Sequence, residues 1–304
     1  MEVAIVGAGV AGLTCARRLV AAGHRVVLFD KGRFPGGRVS TRERDGMTWD
    51  HGAPGVTAAG WTVPGVRWVR WGEGRVAVPH MRSLGLALAD GLDVRMRVRV
   101  DSLGPQDLRD GHWHLRATTG EPLGIFPLLV FALPPLQLRA LVAAVAGVEG
   151  LISTLERAVM QPQLTLMVSF GSRVEGPPVL RPTAGLLELI LFDSDKPGRP
   201  GDGNAWVAHS TSAYAAAHLE EPPTACRQVL LEALAAALGP LPAARYATVH
   251  RWRYARVSSP AGEPSWFDPT LQLGACGDWC LGADVEHAIR SGEDLAARLL
   301  SAGL

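Results

Sequence analysis

The chain has 304 residues, which is enough for one large domain or two ordinary ones with a sizeable core. Its 30 basic and 29 acidic side chains nearly cancel, and this balance argues against nucleic acid or an anionic membrane surface as a partner. We therefore expect a small-molecule partner. Only two of the basic residues, Lys31 and Lys196, are lysines.

The cysteines and the N-terminal residues indicate whether the protein is expected to bind a metal, to be secreted or to span a membrane. Cys15, Cys226, Cys276 and Cys280 lack the spacing and partner ligands of a zinc site, so we expect reduced, mostly buried thiols and no metal. Glu2 and the glycines that interrupt the first apolar stretch disfavour a signal peptide, and no apolar run reaches the roughly 20 residues of a membrane span. These features predict a cytoplasmic protein.

The first 30 residues follow the order strand, glycine turn, helix, strand. Residues 3–6 are apolar, the turn Gly7–Gly12 follows, and apolar residues then recur at helical spacing until Gly23. Residues 25–30 predict the next strand. This order is typical of a parallel sheet covered by helices.

The rest of the chain predicts a second, mixed α+β domain and a return to the first pattern at the C-terminus. Residues 34–60 are rich in Gly, Pro and Thr and predict a long ordered loop. Residues 163–170 alternate and predict a strand with one apolar face. The other predicted elements are a three-stranded meander (93–101, 113–118, 128–133), a helix from Pro134 to about Val145, strands at 186–192, 205–210, 247–254 and 271–274, and helices at 226–238 and 283–300.

The glycine turn has the spacing of a dinucleotide-binding site. Gly7 permits a sharp turn, Gly9 lets backbone N–H groups approach a pyrophosphate, and Gly12 permits close packing of helix on strand. The positive end of the helix then faces the phosphates. Asp30, at the end of the second strand, can accept hydrogen bonds from the adenosine ribose and would repel a 2′-phosphate.

Two further segments favour FAD over NAD. Gly36-Gly37-Arg38 can close over a pyrophosphate, and Asp50-x-Gly52-Ala53 adds a second turn. Near the C-terminus, Gly277-Asp278 precedes a helix whose first N–H groups can point at the flavin N1 and C2 carbonyl, with Asp278 accepting a ribityl hydroxyl. The predicted cofactor-binding residues are Gly7, Gly9, Gly12, Asp30, Lys31, Gly37, Arg38, Gly52, Ala53, Gly277, Asp278 and Val285.

These motifs together resemble the renalase branch of the flavin amine oxidase superfamily, and the bacterial renalase-like proteins in particular. The likeness runs nearly end to end. Beyond the cofactor motifs it rests on Asp50–Ala53, Lys196–Arg199, Trp206-Val207-x-His209, His250–Ala255, Gly277–Cys280 and Ser291-Gly292.

The resemblance implies a flavoprotein with noncovalent FAD, because no cysteine matches the superfamily's covalent-attachment position. It also implies oxidation of dihydropyridine isomers of NAD(P)H by hydride transfer to the flavin, with O2 as acceptor and hydrogen peroxide as product. Three departures bear on the substrate: a shortened stretch between Thr57 and Pro79, His287 in place of a glycine beside the cofactor helix, and the acidic turn Asp193–Asp195, which adds negative charge near a phosphate-bearing substrate.

The residues predicted to contact the substrate are aromatic or imidazole side chains. Trp252 and Tyr254 share one face of a strand with His250, and either can stack on a planar ring or pack in the core. Trp279 directly follows the cofactor aspartate. His209, in front of a Ser/Thr cluster, is a weaker candidate, since a lone histidine is more often a satisfied core group, and Lys196 is most simply a solvated turn residue.

The predicted fold is α/β, with a Rossmann-type FAD-binding domain of the glutathione-reductase and amine-oxidase kind and a second mixed α+β substrate domain. The FAD domain is predicted to comprise residues 1–58, 80–135 and 270–304, and the substrate or lid domain residues 59–79 and 136–269. The protein is expected to be a monomer or a homodimer. Two alternatives remain: an amine oxidase or desaturase-like flavoenzyme, and a flavin-binding protein without turnover.

Overall fold

The computed structural model of the chain describes residues 1–57, 62–104, 107–200 and 203–303. The strands, in chain order, are β1 (Glu2–Val6), β2 (Arg25–Asp30), β3 (Thr41–Arg44), β4 (Met47–Asp50), β5 (Arg67–Trp71), β6 (Gly74–Val78), β7 (Asp93–Met96), β8 (Leu108–Arg109), β9 (His112–Arg116), β10 (Pro122–Phe126), β11 (Leu128–Phe131), β12 (Val159–Phe170), β13 (Val179–Leu180), β14 (Leu187–Phe192), β15 (Ala205–Ser210), β16 (Ala244–Ser259), β17 (Trp266–Asp268) and β18 (Leu273–Ala275). The helices are α1 (Val10–Ala21), α2 (Arg82–Ala89), α3 (Pro135–Val142), α4 (Glu149–Arg157), α5 (Ser212–Ala217), α6 (Pro223–Leu238) and α7 (Val285–Ser301).

The first of two compact units comprises Met1–Gly37, Leu84–Met160 and Val257–Leu304. Its main sheet has the strand order β17-β18-β11-β1-β2-β7, and every neighbouring pair is parallel except β17 with β18. The central strands are continuous apolar runs because both faces of the sheet are covered. Beside this sheet, β8, β9 and β10 form a small antiparallel sheet.

The second unit comprises Arg38–Ser83 and Gln161–Arg256. Its sheet has the order β13-β14-β15-β12-β16, and two hairpins, β3–β4 and β5–β6, belong to the same unit. One face of the sheet packs against α6 through Leu230 and Leu234, and the other packs against Trp49 of β4. The predicted α/β class with a Rossmann-type domain and a second mixed domain is confirmed.

The units differ from the predicted domains in four segments, residues 38–58, 80–83, 136–160 and 257–269. Residues 38–58 were placed with the FAD domain, but those that the structure describes lie in the second unit, where Trp49 Nε1 donates to Val168 O at 3.0 Å. Residues 136–160 were placed with the substrate domain. They lie in the first unit because α3 and α4 bury Leu138 and Leu151 in its core.

Most predicted elements are found, and two predictions are wrong. The loop predicted at 34–60 contains the hairpin β3–β4, while residues 58–61 lie outside the described range. The predicted meander does not form, because the segments 93–96 and 128–131 join the parallel sheet. The strand predicted at 163–170 lies within β12, with an apolar face formed by Leu164, Leu166, Val168 and Phe170. Thr165, Met167 and Ser169 on the other face are equally buried.

All four cysteines are buried free thiols, as predicted. Within the described ranges, the helices include none with the length and hydropathy needed to cross a bilayer.

Candidate functional site

The glycine turn of the first unit joins β1 to α1 with almost no free space. Gly7 has φ of 109°, and a Cβ on it would lie 2.4 Å from the Ala132 carbonyl oxygen. A Cβ on Gly12 would lie 2.2 Å from the Gly7 oxygen. Both positions therefore require glycine, one for the turn and one for the contact between helix and strand.

Gly9 differs from these two glycines because its Cβ position is open. Apart from Gly9 and its two chain neighbours, no described residue has an atom within 4 Å of that position. Gly9 is also the N-cap of α1, where no side chain caps the helix and the first turn carries no acidic residue. The first N–H groups of α1 thus face an open cradle at the positive end of the helix, which is an arrangement that binds phosphate.

Asp30 closes one side of this cradle. Its Oδ2 accepts from Ala8 N at 2.7 Å and its Oδ1 accepts from Gly32 N at 2.6 Å. Each carboxylate oxygen has a second lone pair, so these two bonds leave acceptor capacity for a ligand. Lys31 lies next to it on the exposed surface, where loss of hydration and the Arg99 charge lower its pKa.

The Gly36-Gly37 segment lies directly against the glycine turn. Gly36 N donates to Ala8 O at 2.8 Å, and a Cβ on Gly37 would lie 3.2 Å from Gly9 Cα. Gly37 has φ of 59°, which favours glycine. The two glycine-rich segments that the sequence singled out therefore form one surface.

Three other predicted cofactor-binding residues, Arg38, Gly52 and Ala53, lie together in the second unit. Ala53 N donates to Arg38 O at 2.9 Å, and a Cβ on Gly52 would come within 1.8 Å of the same oxygen. The guanidinium of Arg38 donates to Ala255 O at 3.1 Å. Arg38, Gly52 and Ala53 are thus neighbours, and their contact with the cofactor stays a prediction.

The Gly277-Asp278 turn follows β18 in the first unit and is buried. Asp278 is 5 % exposed, and a short 3₁₀ turn, Asp278–Cys280, separates it from α7. Val285 is the first residue of α7, and the His287 Nδ1 accepts from Asp284 N at 3.2 Å. His287 therefore caps the helix. This contact gives its ring a local structural role, whereas the sequence comparison associates the change from glycine to His287 with the substrate.

These observations fit the adenosine diphosphate part of a dinucleotide. The cradle would fill if Gly9 carried a Cβ, the adjoining helix end has uncapped N–H groups, and a carboxylate lies at the ribose position. Gly7, Gly9, Gly12, Asp30 and Gly37 would hold it there.

The second unit contains a buried cluster of four charged side chains, Asp50, Asp193, Lys196 and Arg199. Lys196 Nζ lies 3.0 Å from Asp50 Oδ2 and 2.7 Å from Asp193 Oδ1. Arg199 Nη2 lies 2.5 Å and 3.0 Å from Oδ2 of the same two aspartates. All four side chains are 3 % exposed or less.

Opposite charges hold this cluster neutral. Burial alone would raise the pKa of Asp50, but Lys196, Arg199 and a hydrogen bond from Thr41 lower that pKa to about 2. The interpretation of Lys196 as a solvated turn residue is wrong, because two buried carboxylates bind it. Asp193, expected to add negative charge near a substrate, is neutralised by the same contacts.

Next to Asp50, His51 belongs to an aromatic cluster with His250 and Trp252. The His51 ring lies 4.7 Å from that of His250 and stacks on that of Trp252 at 5.4 Å, and Trp252 Nε1 donates to His51 O at 2.9 Å. Burial lowers the pKa of His51 to about 3 and that of His250 to about 4, with the charge of Arg42 adding to both shifts. Both imidazoles are therefore neutral at pH 7.

Other predicted substrate contacts lie in different environments. His209 is buried, its Nδ1 lies 3.0 Å from Thr165 Oγ1, and burial together with Lys196 lowers its pKa to about 3. Tyr254 is half-buried on the same face of β16 as Trp252. The structure thus groups Trp252 with two histidines that were not among the predicted site residues; their signal was the aromatic alternation in β16 and the Asp50-His51-Gly52-Ala53 motif.

Trp279 lies in the core of the first unit. Only 1 % of it is exposed, and its Nε1 donates to Leu133 O at 3.0 Å. This placement favours a packing role over the predicted contact with substrate.

Comparison with known proteins supports the nucleotide-binding geometry at the N-terminus. Residues 5–61 match the NAD(P)-binding Rossmann-like domain family. A 4,4′-diapophytoene desaturase from Staphylococcus haemolyticus is 52% identical over 52 residues, which are 17% of this chain and 10% of that protein. The match thus spans about a tenth of the length of this curated relative.

Solved structures resemble the whole chain. A putrescine oxidase bound to putrescine has a TM-score of 0.74 at 13% identity, with 99% of each chain covered. Cyclohexylamine oxidase from Brevibacterium oxydans has a TM-score of 0.71 at 13% identity, covering 99% of this chain and 98% of that one. At this identity the likeness establishes the fold, which is that of these oxidases from end to end.

Proposed function

We propose that the protein is an FAD-dependent oxidoreductase that oxidises dihydropyridine isomers of NAD(P)H. The open Gly9 cradle, the uncapped α1 and Asp30 support a bound dinucleotide, and the end-to-end likeness to amine oxidases supports a flavin. FAD, when bound, supplies the two-electron acceptor.

The two candidate substrate classes, amines and dihydropyridines, differ in whether they need a base from the protein. An amine is protonated at neutral pH and must lose that proton before its carbon can release hydride. A dihydropyridine nitrogen already carries a free lone pair. Only the amine therefore needs a base.

The two lysines and the buried histidines His51 and His209 are poorly suited to act as a base. Of the two lysines in the chain, Lys196 is bound by two buried carboxylates and Lys31 lies next to Asp30 in the first unit. The pKa values of His51 and His209 are lowered to about 3, so each imidazole is a poor proton acceptor at pH 7. The engagement of Lys196 by two carboxylates and the lowered pKa values of these histidines are the observations that favour a dihydropyridine over an amine.

The overall reaction balances without a protein base. The substrate loses a hydride and becomes an aromatic nicotinamide cation. Dioxygen takes the two electrons, the proton carried with them and one proton from solvent, and hydrogen peroxide forms. The chain has to bind and orient the substrate ring, a task for which Trp252 and Tyr254 are the candidate contacts.

The test is anaerobic mixing of the purified FAD-bound protein with 2- and 6-dihydro-NAD(P), ordinary NAD(P)H and amines, with flavin bleaching as the readout. We expect bleaching by the dihydropyridine isomers, at a rate nearly constant from about pH 6 to 9. A required base would instead impose a roughly tenfold fall per pH unit below its pKa.

The second candidate is an amine oxidase or desaturase-like enzyme, favoured by the 52-residue match to a desaturase and by the oxidase fold. Bleaching by an amine with a steep acid limb would support it and contradict our proposal. Bound flavin that none of these reductants bleaches would indicate a flavin-binding protein without turnover.

A further inference from the structure

The middle of α7 carries two adjacent residues that are unusual inside a helix, Ser291 and Gly292. Both are weaker helix formers than alanine. Both are also buried, so neither is explained by contact with solvent. Residues of this kind in a helix interior indicate that a specific tertiary contact requires them. In the structure, Ser291 and Gly292 each make a different contact of this kind.

Ser291 holds the Gly277-Asp278 turn. Its side chain is fully buried, and its Oγ accepts from Gly277 N at 2.9 Å. Without this hydroxyl the buried Gly277 N–H would lose its partner. The turn is also restricted on the other side, because a Cβ on Gly277 would lie 2.3 Å from Trp279 Nε1.

Gly292 sets how closely α7 approaches the start of α1. A Cβ there would lie 2.3 Å from the Ala11 oxygen and 3.1 Å from Thr14 Cβ. Ala11 belongs to the first turn of α1, directly after the Gly9 cradle. Two adjacent residues of α7 thus contact the two segments that the sequence assigns to opposite ends of the cofactor: Ser291 bonds Gly277, and Gly292 packs against Ala11.

We propose that Ser291 and Gly292 are a positioning pair that fixes the Gly277-Asp278 turn relative to the Gly7–Gly12 turn, and thereby sets flavin affinity and flavin potential. This inference rests on the proposed binding of FAD. Neither residue is assigned a contact with the cofactor; Ser291 acts through Gly277, and Gly292 acts through α1.

Flavin titration and potentiometry test the proposal. Apoprotein is titrated with FAD, with flavin fluorescence as the readout, and the two-electron midpoint potential is measured for wild type, Ser291→Ala and Gly292→Ala. We expect FAD to bind roughly tenfold more weakly in each variant, as for loss of one buried hydrogen bond or a forced helix shift.

The potential separates positioning from a general loss of stability. If a loosened Gly277-Asp278 turn stabilises reduced flavin less, the potential of Ser291→Ala falls by about 30 mV for each tenfold difference in binding between the two redox states. Ser291→Thr keeps the hydroxyl and should keep the wild-type potential.

Two matched controls use the same substitutions at exposed helical sites. Ser301→Ala changes the last residue of α7. Gly150→Ala changes a helical glycine whose added Cβ would meet only Trp266 Nε1, at 3.8 Å. Both should behave as wild type.

Failure of the positioning inference can be distinguished from failure of the proposed function. Wild-type affinity and potential in Ser291→Ala would overturn the inference and leave FAD binding intact. If Ser291→Ala does not fold, Ser291→Thr decides: an altered potential or loss of folding there would show that packing, not the hydroxyl, matters, and would also overturn the inference. Failure of the wild-type protein to bind FAD would instead overturn the proposed function.

Discussion

A single carboxylate, Asp30, connects the end of β2 to the glycine turn. Its two oxygens accept from Ala8 N and Gly32 N, so the side chain braces the cradle and still has lone pairs for a ribose. The same residue can therefore contribute to cofactor affinity twice, once by direct contact and once by holding Ala8 in place.

Asp30→Ala should weaken FAD binding by roughly tenfold to a hundredfold, because each hydrogen bond to a charged group contributes about 1.5 to 3 kcal/mol. Equilibrium dialysis of the flavin measures the change. Asp93→Ala removes an exposed carboxylate from β7 and is the matched control. Full flavin occupancy of Asp30→Ala after dialysis would contradict the cradle geometry.

Lys196 tests whether the buried ion cluster is structural. Lys196→Met leaves Asp50 and Asp193 with Arg199 as their remaining cation in the cluster, and breaking a buried ion pair typically costs about 3 to 5 kcal/mol. We expect a clearly lower Tm but anaerobic flavin reduction within a few-fold of wild type in the folded, FAD-bound protein.

Lys31→Met is the comparison for this variant, since Lys31 is exposed. It should change the Tm little and likewise leave reduction nearly unchanged. Loss of flavin reduction in folded Lys196→Met would make the lysine a participant in the chemistry and would favour the amine-oxidase alternative.

At the scale of elements, β15 carries His209, β16 carries His250 and the end of β4 is followed by His51, all in the second unit. The pKa values of His51 and His209 fall to about 3 and that of His250 to about 4, mainly through burial. The charged groups that act on them are Arg42, Lys196, Arg256 and Asp50. The fold therefore favours three neutral imidazoles.

The sign of the resulting pH dependence follows from proton uptake. A folded-state pKa below the ordinary value of 6.5 means that the unfolded chain binds more protons, so stability is complete above about pH 6.5 and is lost as the pH falls towards 4. Each fully buried histidine adds a slope of up to about 1.4 kcal/mol per pH unit.

Urea unfolding at pH 7, 6 and 5 measures this slope. In His209→Asn the new amide can replace Nδ1 opposite Thr165. This variant should lower the slope of unfolding free energy against pH by up to about 1.4 kcal/mol per pH unit, the contribution of one proton. His112→Asn, at an exposed site, should leave the slope unchanged. Equal slopes in wild type and His209→Asn would show that His209 is not held neutral by the fold.

At the scale of the whole molecule, the four cysteines are buried free thiols, and burial raises the pKa of Cys15 and of Cys280 to about 12. Such thiols are poor nucleophiles. We therefore expect FAD to be bound without a covalent link, and acid precipitation should leave a colourless pellet and FAD in the supernatant. A yellow pellet, or release of FMN alone, would contradict this prediction.

Local sequence was enough to predict the secondary structure and the glycine turn at the N-terminal end of the protein. The strand, turn and helix of residues 2–21 depend on glycine spacing and on apolar residues a few positions apart, and Asp30 follows a strand of buried residues. Each of these signals lies within one element, so the sequence by itself predicts the element, the cradle and the fold class.

Tertiary structure decided the features whose partners are distant along the chain. Lys196 looks like a solvated turn residue until Asp50, 146 positions away, is placed beside it. Residues 128–131 join the parallel sheet because they pair with β1 and β18. Residues 163–170 of β12 are buried on both faces because separate cores cover the two sides of the sheet. The sequence by itself determined the local elements and the chemistry of the glycine turn, whereas burial and charge pairing depend on which remote segments meet and were decided only by the tertiary structure.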